Sequence, residues 1–278
     1  MARLWVENPA AFLVSTMGDL RITGGATVND DILGRDIIFD TTAESEIVVN
    51  GTVHYLQELI GEENVHLSSD PVFVQSMTFP GVDLQRYRLL SQSLGDYHDT
   101  SSLNLNLSDL PPETPIVFAE GDIHISGSYD HSLIVVAGGN VYIEDNVVSS
   151  AIDQGNGQVV VPQIGILAKK DAIIPKDAPA DITIEAFVMA DGGEKANGEF
   201  VAEGNKLSKG SLNFTGAIAV RGDGDDTAVN LNAYAAREYT FNDELTTSRS
   251  IPFLPFIANQ LPGTWREVNP SDPFPPAS

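Results

Sequence analysis

Two short stretches decide the fold: Gly121-Asp122-Ile123-His124-Ile125, and Gly139-Asn140-Val141-Tyr142-Ile143, which begins 18 residues later. Each stretch has a glycine, an Asp or Asn, and then an apolar-x-apolar triplet, and this alternation is typical of a β-strand. A strand of three residues cannot bury its apolar face alone. Stacking successive repeats lets each strand pair with the strands above and below it, so that a continuous core forms. The two stretches therefore predict a β-solenoid.

The same unit recurs elsewhere in the chain. Gly18-Asp19-Leu20-Arg21-Ile22 is followed by Arg35-Asp36-Ile37-Ile38-Phe39, and Lys170-Asp171-Ala172-Ile173-Ile174 forms a further copy. Ile182–Val188 and Leu212–Val220 have the same texture without the Asp. We expect the turn glycines to supply positive φ angles and the Asp or Asn side chains to hydrogen-bond their own backbone. The alternative fold is a β-sandwich or barrel, whose short strands also recur, about every 8–12 residues.

The predicted fold class is mostly β: a single β-solenoid domain over residues 1–278, similar to a right-handed β-helix. Residues 51–112 are predicted to be an insert with one or two short helices between the two halves of the solenoid. Apolar residues at helical spacing predict one helix in Val82–Leu94, which Gly95 would end, and a shorter one in Val53–Ile60. The Pro-rich segment 251–278 is expected to form a C-terminal cap or tail.

Composition excludes several functions. The 278 residues include 15 Lys and Arg against 39 Asp and Glu, so the net charge is −24, which disfavours binding to nucleic acid or to anionic membranes. The chain contains no cysteine, which excludes disulfides, zinc-thiolate sites and cysteine nucleophiles. No apolar run approaches the roughly 18 residues of a membrane span. Met1–Pro9 has no hydrophobic region, so we expect no signal peptide in this chain.

The order of the repeats resembles a known family. The similarity is to the β-helical region of prepilin-like envelope proteins, the pilus-assembly proteins of the PilX type. It extends over most of the chain and is carried by these stretches: Ile116–Gly127, Leu133–Val136, Gly139–Ile143, Ile164–Pro175, Ile182–Ala190, Gly216–Ala219, Tyr234–Leu245 and Ile251–Pro255. Members of the family usually begin with a hydrophobic prepilin helix, and this chain has none.

The resemblance implies a non-enzymatic structural or interaction protein at the cell surface or outside the cell, associated with a pilus or self-assembling as a filament. Its expected partners are other pilus or filament subunits. A homo-oligomer or polymer is also expected, because a solenoid is open at both ends and copies can stack head to tail. A bactofilin-like cytoskeletal polymer fits less well, since those repeats are shorter and uninterrupted.

One acidic loop is a candidate calcium site. In Arg221-Gly222-Asp223-Gly224-Asp225-Asp226, the carboxylates of Asp223, Asp225 and Asp226 stand on a glycine-rich loop and could converge on Ca²⁺, which takes six to eight oxygen ligands. The bidentate Glu that completes an EF-hand loop is missing. The alternative is a solvated turn in an acidic protein.

The alternative function is a carbohydrate-active enzyme or a glycan-binding module on the same scaffold. Asp122, Glu144, Asp145 and Asp153 are expected on or near neighbouring turns, and two carboxyls at a suitable separation can hydrolyse a glycosidic bond. Capping of the turn explains Asp122 equally well, and we assign no catalytic residue. Among the five histidines, His124 and His131 are the pair that could approach each other across turns.

Aromatic residues cluster in the C-terminal segment. They are Phe253, Phe256, Trp265 and Phe274. One interpretation is that they cap an open end of the solenoid and cover its sheet edge. The other is that they dock on a partner subunit.

Overall fold

The computed structural model of the protein describes residues 12–40, 46–75, 79–153, 159–193, 197–222, 227–246 and 251–255. Within these ranges the chain forms helix α1 (Leu84–Leu94), three 3-10 helices (Glu62–Asn64, Leu107–Asp109 and Asp243–Thr246) and many short strands. In chain order the strands are β1 Val14–Thr16, β2 Asp19–Thr23, β3 Ala26–Asn29, β4 Ile32–Gly34, β5 Ile37–Asp40, β6 Ile47–Val49, β7 Val53–Tyr55, β8 Leu59–Ile60, β9 His66–Leu67, β10 Val72–Phe73, β11 Asp96–His98, β12 Ser102–Asn106, β13 Ile116–Ala119, β14 Asp122–Tyr129, β15 Leu133–Ala137, β16 Val141–Ser149, β17 Ile152–Asp153, β18 Val159–Val160, β19 Ile164–Ala168, β20 Ala172–Ile174, β21 Ile182–Ala190, β22 Phe200–Ala202, β23 Lys209–Val220, β24 Thr227–Asn230 and β25 Tyr234–Phe241.

The strands form three parallel sheets that enclose one lumen, and we call one turn of chain through the three sheets a rung. Sheet A has the order β11-β13-β15-β19-β21-β23-β1-β4-β7-β10. Sheet B has the order β12-β14-β16-β20-β22-β24-β2-β5-β8. Sheet C has the order β14-β16-β21-β23-β25-β3-β6-β9, and β17 and β18 form a separate antiparallel hairpin. The predicted mostly-β solenoid is confirmed.

The repeats pair in the register that the sequence predicts. Ile123 pairs with Val141 and Ile125 with Ile143, so the two deciding stretches lie directly on each other in sheet B. The copies that begin at Gly18 and Arg35 pair through Leu20 opposite Ile37 and Ile22 opposite Phe39. The copy that begins at Lys170 stacks next, with Ala172 opposite Val141. The apolar positions of each triplet therefore point into the common lumen, where they are buried.

The chain does not run through the solenoid from one end to the other. It begins in the middle, where β1, β2 and β3 form a rung, and it proceeds outward as far as β10. It then crosses to the opposite end, where β11 begins, and returns rung by rung to the middle. There β23, β24 and β25 pair in parallel with β1, β2 and β3. We call the interface between these two rungs the seam; no peptide connection joins them directly.

Residues 51–112 are not a separate insert, and this prediction is wrong. We call the rungs from β1 to β10 the N-terminal block and those from β11 to β25 the C-terminal block. Strands β7–β10 continue the rungs of the N-terminal block, and β11 and β12 begin the C-terminal block at the other end. The part that crosses is shorter and lies between β10 and β11; its described residues are 74–75 and 79–95, which we call the crossing segment. The helix predicted in Val53–Ile60 is instead strands β7 and β8, because pairing with β4 and β5 overrides a periodicity that a short apolar run leaves ambiguous.

The helix predicted in Val82–Leu94 is confirmed as α1. Asp83 caps it, since its carboxylate accepts a hydrogen bond from the N–H of Arg86 at 3.1 Å, and Gly95 follows its last residue. Tyr87 is buried against the solenoid, and its hydroxyl donates to the carbonyl oxygen of Phe253 at 2.9 Å. The helix thus joins the crossing segment to the C-terminal residues.

Sheet A is buried on both faces, which explains its continuous apolar runs. The outward-facing side chains of Phe118, Val136 and Leu167 form a second hydrophobic cluster with residues of the crossing segment and the C-terminal region. Phe253 packs in that cluster. The predicted capping or docking residue Phe253 therefore covers the side of sheet A and not an open end of the solenoid, because that face needs an apolar cover. The other predicted members, Phe256, Trp265 and Phe274, lie outside the described residues.

Candidate functional site

Three of the carboxylates considered for catalysis lie at opposite ends of the strands of sheet B. Asp122 is the first residue of the sheet-B part of β14, whereas Glu144 and Asp145 follow the sheet-B part of β16. Glu144 is exposed and pairs with Nδ1 of His124 at 2.6 Å. Asp145 accepts a hydrogen bond from the N–H of the next residue at 2.7 Å. Asp153 lies in β17, outside the three sheets, so the structure does not bring the four residues together.

The Asp or Asn of the repeat forms a ladder between rungs. Asp122 Oδ1 accepts a hydrogen bond from the N–H of Asn140 at 2.7 Å, and Asn140 Oδ1 accepts one from the N–H of Asp171 at 3.2 Å. Asp171 Oδ1 accepts from the N–H groups of Gly198 at 3.0 Å and Glu199 at 3.1 Å. The expectation that these side chains bond their own backbone is wrong, because each acceptor lies closest to the unpaired N–H of the next rung. The ladder is a structural device of the solenoid.

We expect Asp171→Ala to lower the free energy of unfolding by about 2 kcal/mol, because two partly buried N–H groups lose their acceptor. Asp171→Asn keeps the acceptor oxygen and should recover most of the loss. Equilibrium urea denaturation measures both variants, with Asp70→Ala at an exposed position as the control. Equal destabilisation by Asp171→Ala and Asp70→Ala would contradict a ladder that stabilises the fold.

The histidines do not form a metal site. His131 contacts Asp130 Oδ1 at 2.8 Å and the carbonyl oxygen of Thr114 at 3.1 Å, while the ring of His124 stacks on Tyr142 with centroids 4.7 Å apart. Within the described ranges, no group of three or more His, Cys, Asp or Glu side chains is arranged to hold a metal ion. The predicted calcium ligands Asp223, Asp225 and Asp226 lie outside those ranges and stay a prediction.

A cleft of about 370 Å³ opens beside sheet C. Its walls include Tyr129, Glu185, Phe241 and Asp243, a set of two carboxylates and two aromatic rings. Glu185 Oε2 already accepts hydrogen bonds from the N–H of Ser149 at 2.8 Å and from its hydroxyl at 2.7 Å. The Tyr129 hydroxyl donates to the carbonyl oxygen of Glu185 at 2.7 Å, and burial raises the pKa of Tyr129 above its ordinary range. Asp243 is exposed.

Three charged residues stack at the ends of consecutive strands of sheet A. Lys169, Asp191 and Arg221 follow β19, β21 and β23, and both cations bind the carboxylate of Asp191, which is 2% exposed. Asp191 Oδ2 also accepts a hydrogen bond from the N–H of Val82 at 3.1 Å, and the Arg221 guanidinium lies 5.2 Å from the ring centroid of Phe79. The triad therefore fastens the crossing segment to the solenoid.

The electrostatics of this triad favour an ionised Asp191. Burial would raise the pKa of the carboxyl, but hydrogen bonds from Lys169, Arg221 and the N–H of Val82 outweigh it, so that the pKa lies below the ordinary value. Each cation bonds a carboxylate that is enclosed by the protein. We therefore assign the triad a structural role, which sequence analysis missed.

Exposed apolar side chains also lie on the last rung of the solenoid, which we call the terminal rung and define as β8, β9 and β10. In the described residues each of these strands pairs on one side alone, with β5, β6 and β7 respectively. Ile60, Val72 and Phe73 are 46%, 37% and 56% exposed. Phe73 packs edge-on against Tyr55, with ring centroids 5.8 Å apart. An unpaired strand edge with exposed apolar side chains is a surface that can bind another strand.

No family model, curated protein or solved structure matches this chain. Inferences about function therefore depend on the chain's own surfaces. Across the described part of the chain, no helix has both the length and the apolar character needed to cross a bilayer.

The two ends of the solenoid carry the same sign of charge. Nine carboxylates and no Lys or Arg lie between Arg35 and Arg86, and ten carboxylates and no Lys or Arg lie between Arg88 and Lys169. The first stretch includes the terminal rung, and the second includes β11 and β12 at the opposite end. Stacking of two copies end to end would bring like charges together, whereas a basic partner would be attracted.

Proposed function

We propose that this chain is a non-enzymatic structural protein of a pilus-like surface assembly, and that its terminal rung docks a neighbouring subunit of different sequence. The observation that carries the proposal is the unpaired edge of β10 with the exposed side chains of Val72 and Phe73. The order of sequence repeats, which resembles prepilin-like envelope proteins, supports the surface location.

Strand addition is the mode of docking that this edge favours. The backbone N–H and C=O groups on the free side of β10 give a partner strand its hydrogen bonds, and exposed apolar side chains give it specificity. Phe73 is the anchor, because aromatic side chains contribute most to such contacts. The proposed contact would also cover an edge that otherwise invites aggregation.

Charge selects the class of partner. Exposed Glu58, Glu62 and Asp70 surround the terminal rung. A partner strand flanked by Lys or Arg would therefore be steered to this end, and the attraction would weaken with ionic strength. Head-to-tail stacking of this chain alone is disfavoured by the same carboxylates, so the proposal commits to a hetero-assembly.

Single cysteines test the proposal, because the chain has none of its own. Val72→Cys lies on the terminal rung beside the anchor Phe73, which it leaves in place, and Leu89→Cys is its control on the exposed face of α1, where Leu89 is 58% exposed. Treating intact cells with a membrane-impermeant maleimide should label Leu89→Cys and should label Val72→Cys about tenfold less. The purified variants should react equally.

Two results would contradict the proposal. If Leu89→Cys reacts after lysis and not on intact cells, the protein is not at the surface. If Val72→Cys reacts on intact cells as fast as Leu89→Cys, no subunit covers the terminal rung.

A glycan-binding role is the second candidate, and the cleft beside sheet C favours it. Carboxylates such as Asp243 accept hydrogen bonds from sugar hydroxyls, and the Phe241 ring offers an apolar face for a sugar. Screening the protein against a glycan array tests this role, with Phe241→Ala as the variant that should lose any binding. An array without signal for the unmodified protein removes this candidate.

A further inference from the structure

A buried guanidinium crosses the seam. Arg237 in β25 is 4% exposed and points into the solenoid. Its NH1 group donates to Thr23 Oγ1 at 3.1 Å and to Asn232 Oδ1 at 2.7 Å. Its NH2 group donates to the carbonyl oxygens of Thr23, at 3.0 Å, and Gly24. Residues more than 200 positions apart in the chain are thereby joined.

The charge of this guanidinium is not balanced by the residues around it. All four acceptors are neutral oxygens, and no carboxylate of the described residues pairs with Arg237. The titratable group that faces it is the Tyr239 phenol, and burial of Arg237 lowers the pKa of its guanidinium from the ordinary value. Arginine nevertheless stays protonated in proteins. A buried cation without a counter-charge is strongly unfavourable.

One donor of the guanidinium is also unused. Nε of Arg237 is buried and has no hydrogen-bond partner. Arg237 lines a cavity of about 30 Å³ inside the seam, together with Asn232, Tyr239 and apolar side chains that include Val14 and Ala26. A water molecule needs roughly 10–15 Å³ of such space. The cavity is therefore large enough for one monatomic anion and too small for a phosphate or an organic acid.

We infer that this cavity is a halide-binding site, in which chloride accepts the hydrogen bond of Arg237 Nε–H and supplies the missing negative charge. The site is built from both blocks of the chain, since β25 contributes Arg237 and β3 contributes Ala26. Chloride bound there would hold the seam closed. An ion that binds the folded protein alone stabilises it in proportion to ligand concentration.

Thermal unfolding of the full chain measures the effect. We compare sodium chloride with sodium gluconate at equal ionic strength, since gluconate is too large for the cavity. Chloride at about ten times its Kd should raise the Tm by about 3 °C. Crystals grown in sodium bromide should show an anomalous peak within hydrogen-bonding distance of Arg237 Nε. Equal Tm values in the two salts, or a bromide map in which water alone occupies the cavity, would overturn the inference.

A cavity-filling variant localises the effect. Ala26→Ile fills the space and leaves Arg237 in place, so the chloride-dependent rise in Tm should disappear. Ala172→Ile, at a fully buried lumen position of β20 away from the seam, is the matched control and should keep the rise. A rise that persists in Ala26→Ile would place the ion elsewhere and would contradict the site. The bromide map on the unmodified protein decides the matter even if Ala26→Ile fails to fold.

Discussion

Gly216→Ala is expected to lower the free energy of unfolding by about 4 kcal/mol, which is at the upper end for a single substitution. Gly216 lies in β23 where the chain passes from sheet C to sheet A, and its φ is 149°. A Cβ atom there would overlap the carbonyl oxygen of Ala186, which is paired with it in the same ladder. Neither strand can move, because β21 and β23 are each paired on both sides.

Gly193→Ala is the matched control for this prediction. A Cβ at Gly193 would meet its nearest neighbour, the carbonyl oxygen of Lys169, at 3.5 Å, which is an ordinary van der Waals contact. Its effect should lie within about 0.5 kcal/mol. Urea denaturation of the two variants gives the comparison. Similar midpoints for both would mean that the corner at Gly216 is not a fixed point of the fold.

The sequence repeat predicts which residues pair between neighbouring rungs, but it does not predict the order in which the rungs stack. Apolar-x-apolar triplets mark which residues pair, so Ile123 opposite Val141 follows from the sequence. Any rung of this kind can stack on any other, however, and no local pattern shows that β1 follows β23 in sheet A. The order depends on where the crossing segment leads the chain, which is a long-range property. This is why the sequence pattern alone predicts an insert at residues 51–112.

Other features had signals in the sequence. The runs Ile116–Ala119, Leu133–Ala137 and Ile164–Ala168 are apolar at every position or nearly so, which is typical of a sheet covered on both faces. The sequence predicts that the glycine of the repeat supplies a positive φ. Gly121 does not, and is required because a Cβ would overlap the carbonyl oxygen of Ser101 on the neighbouring rung. Close stacking, and not the turn, selects glycine at that position.

The triad of Lys169, Asp191 and Arg221 can be recognised in the sequence only when the rungs are aligned with one another. Met189-Ala190-Asp191-Gly192-Gly193 resembles an ordinary polar turn when it is considered alone. Aligned by sheet A, Lys169, Asp191 and Arg221 occupy the same position of three consecutive rungs, and alternating charge at one position indicates ion pairs. Arg237 had no such signal, because three of its four acceptors belong to Thr23 and Gly24, near the other end of the sequence.

Asp191→Ala is expected to lower the free energy of unfolding by about 2–3 kcal/mol, because it removes a buried carboxylate that accepts charged hydrogen bonds from two partly exposed cations. It also removes the acceptor for the N–H of Val82, so the crossing segment should loosen at that point. Urea denaturation measures the first effect, and amide hydrogen exchange at Val82 measures the second. Asp177→Ala, at an exposed position, serves as the control for both.

The pH dependence of the stability difference between the unmodified protein and Asp191→Ala distinguishes an ionic role of Asp191 from a packing role. The pKa of Asp191 is lowered on folding, so its contribution is fully present above the unfolded value of 3.8 and is lost as the pH falls through the lower folded value. The stability difference between the unmodified protein and Asp191→Ala should therefore stay constant from pH 7 to about pH 5 and should shrink only under more acidic conditions. The stability difference could instead stay the same down to the lowest pH at which the protein folds. That result would show that the Asp191 side chain acts through packing, and it would contradict our assignment of the triad as an ionic contact that holds the crossing segment.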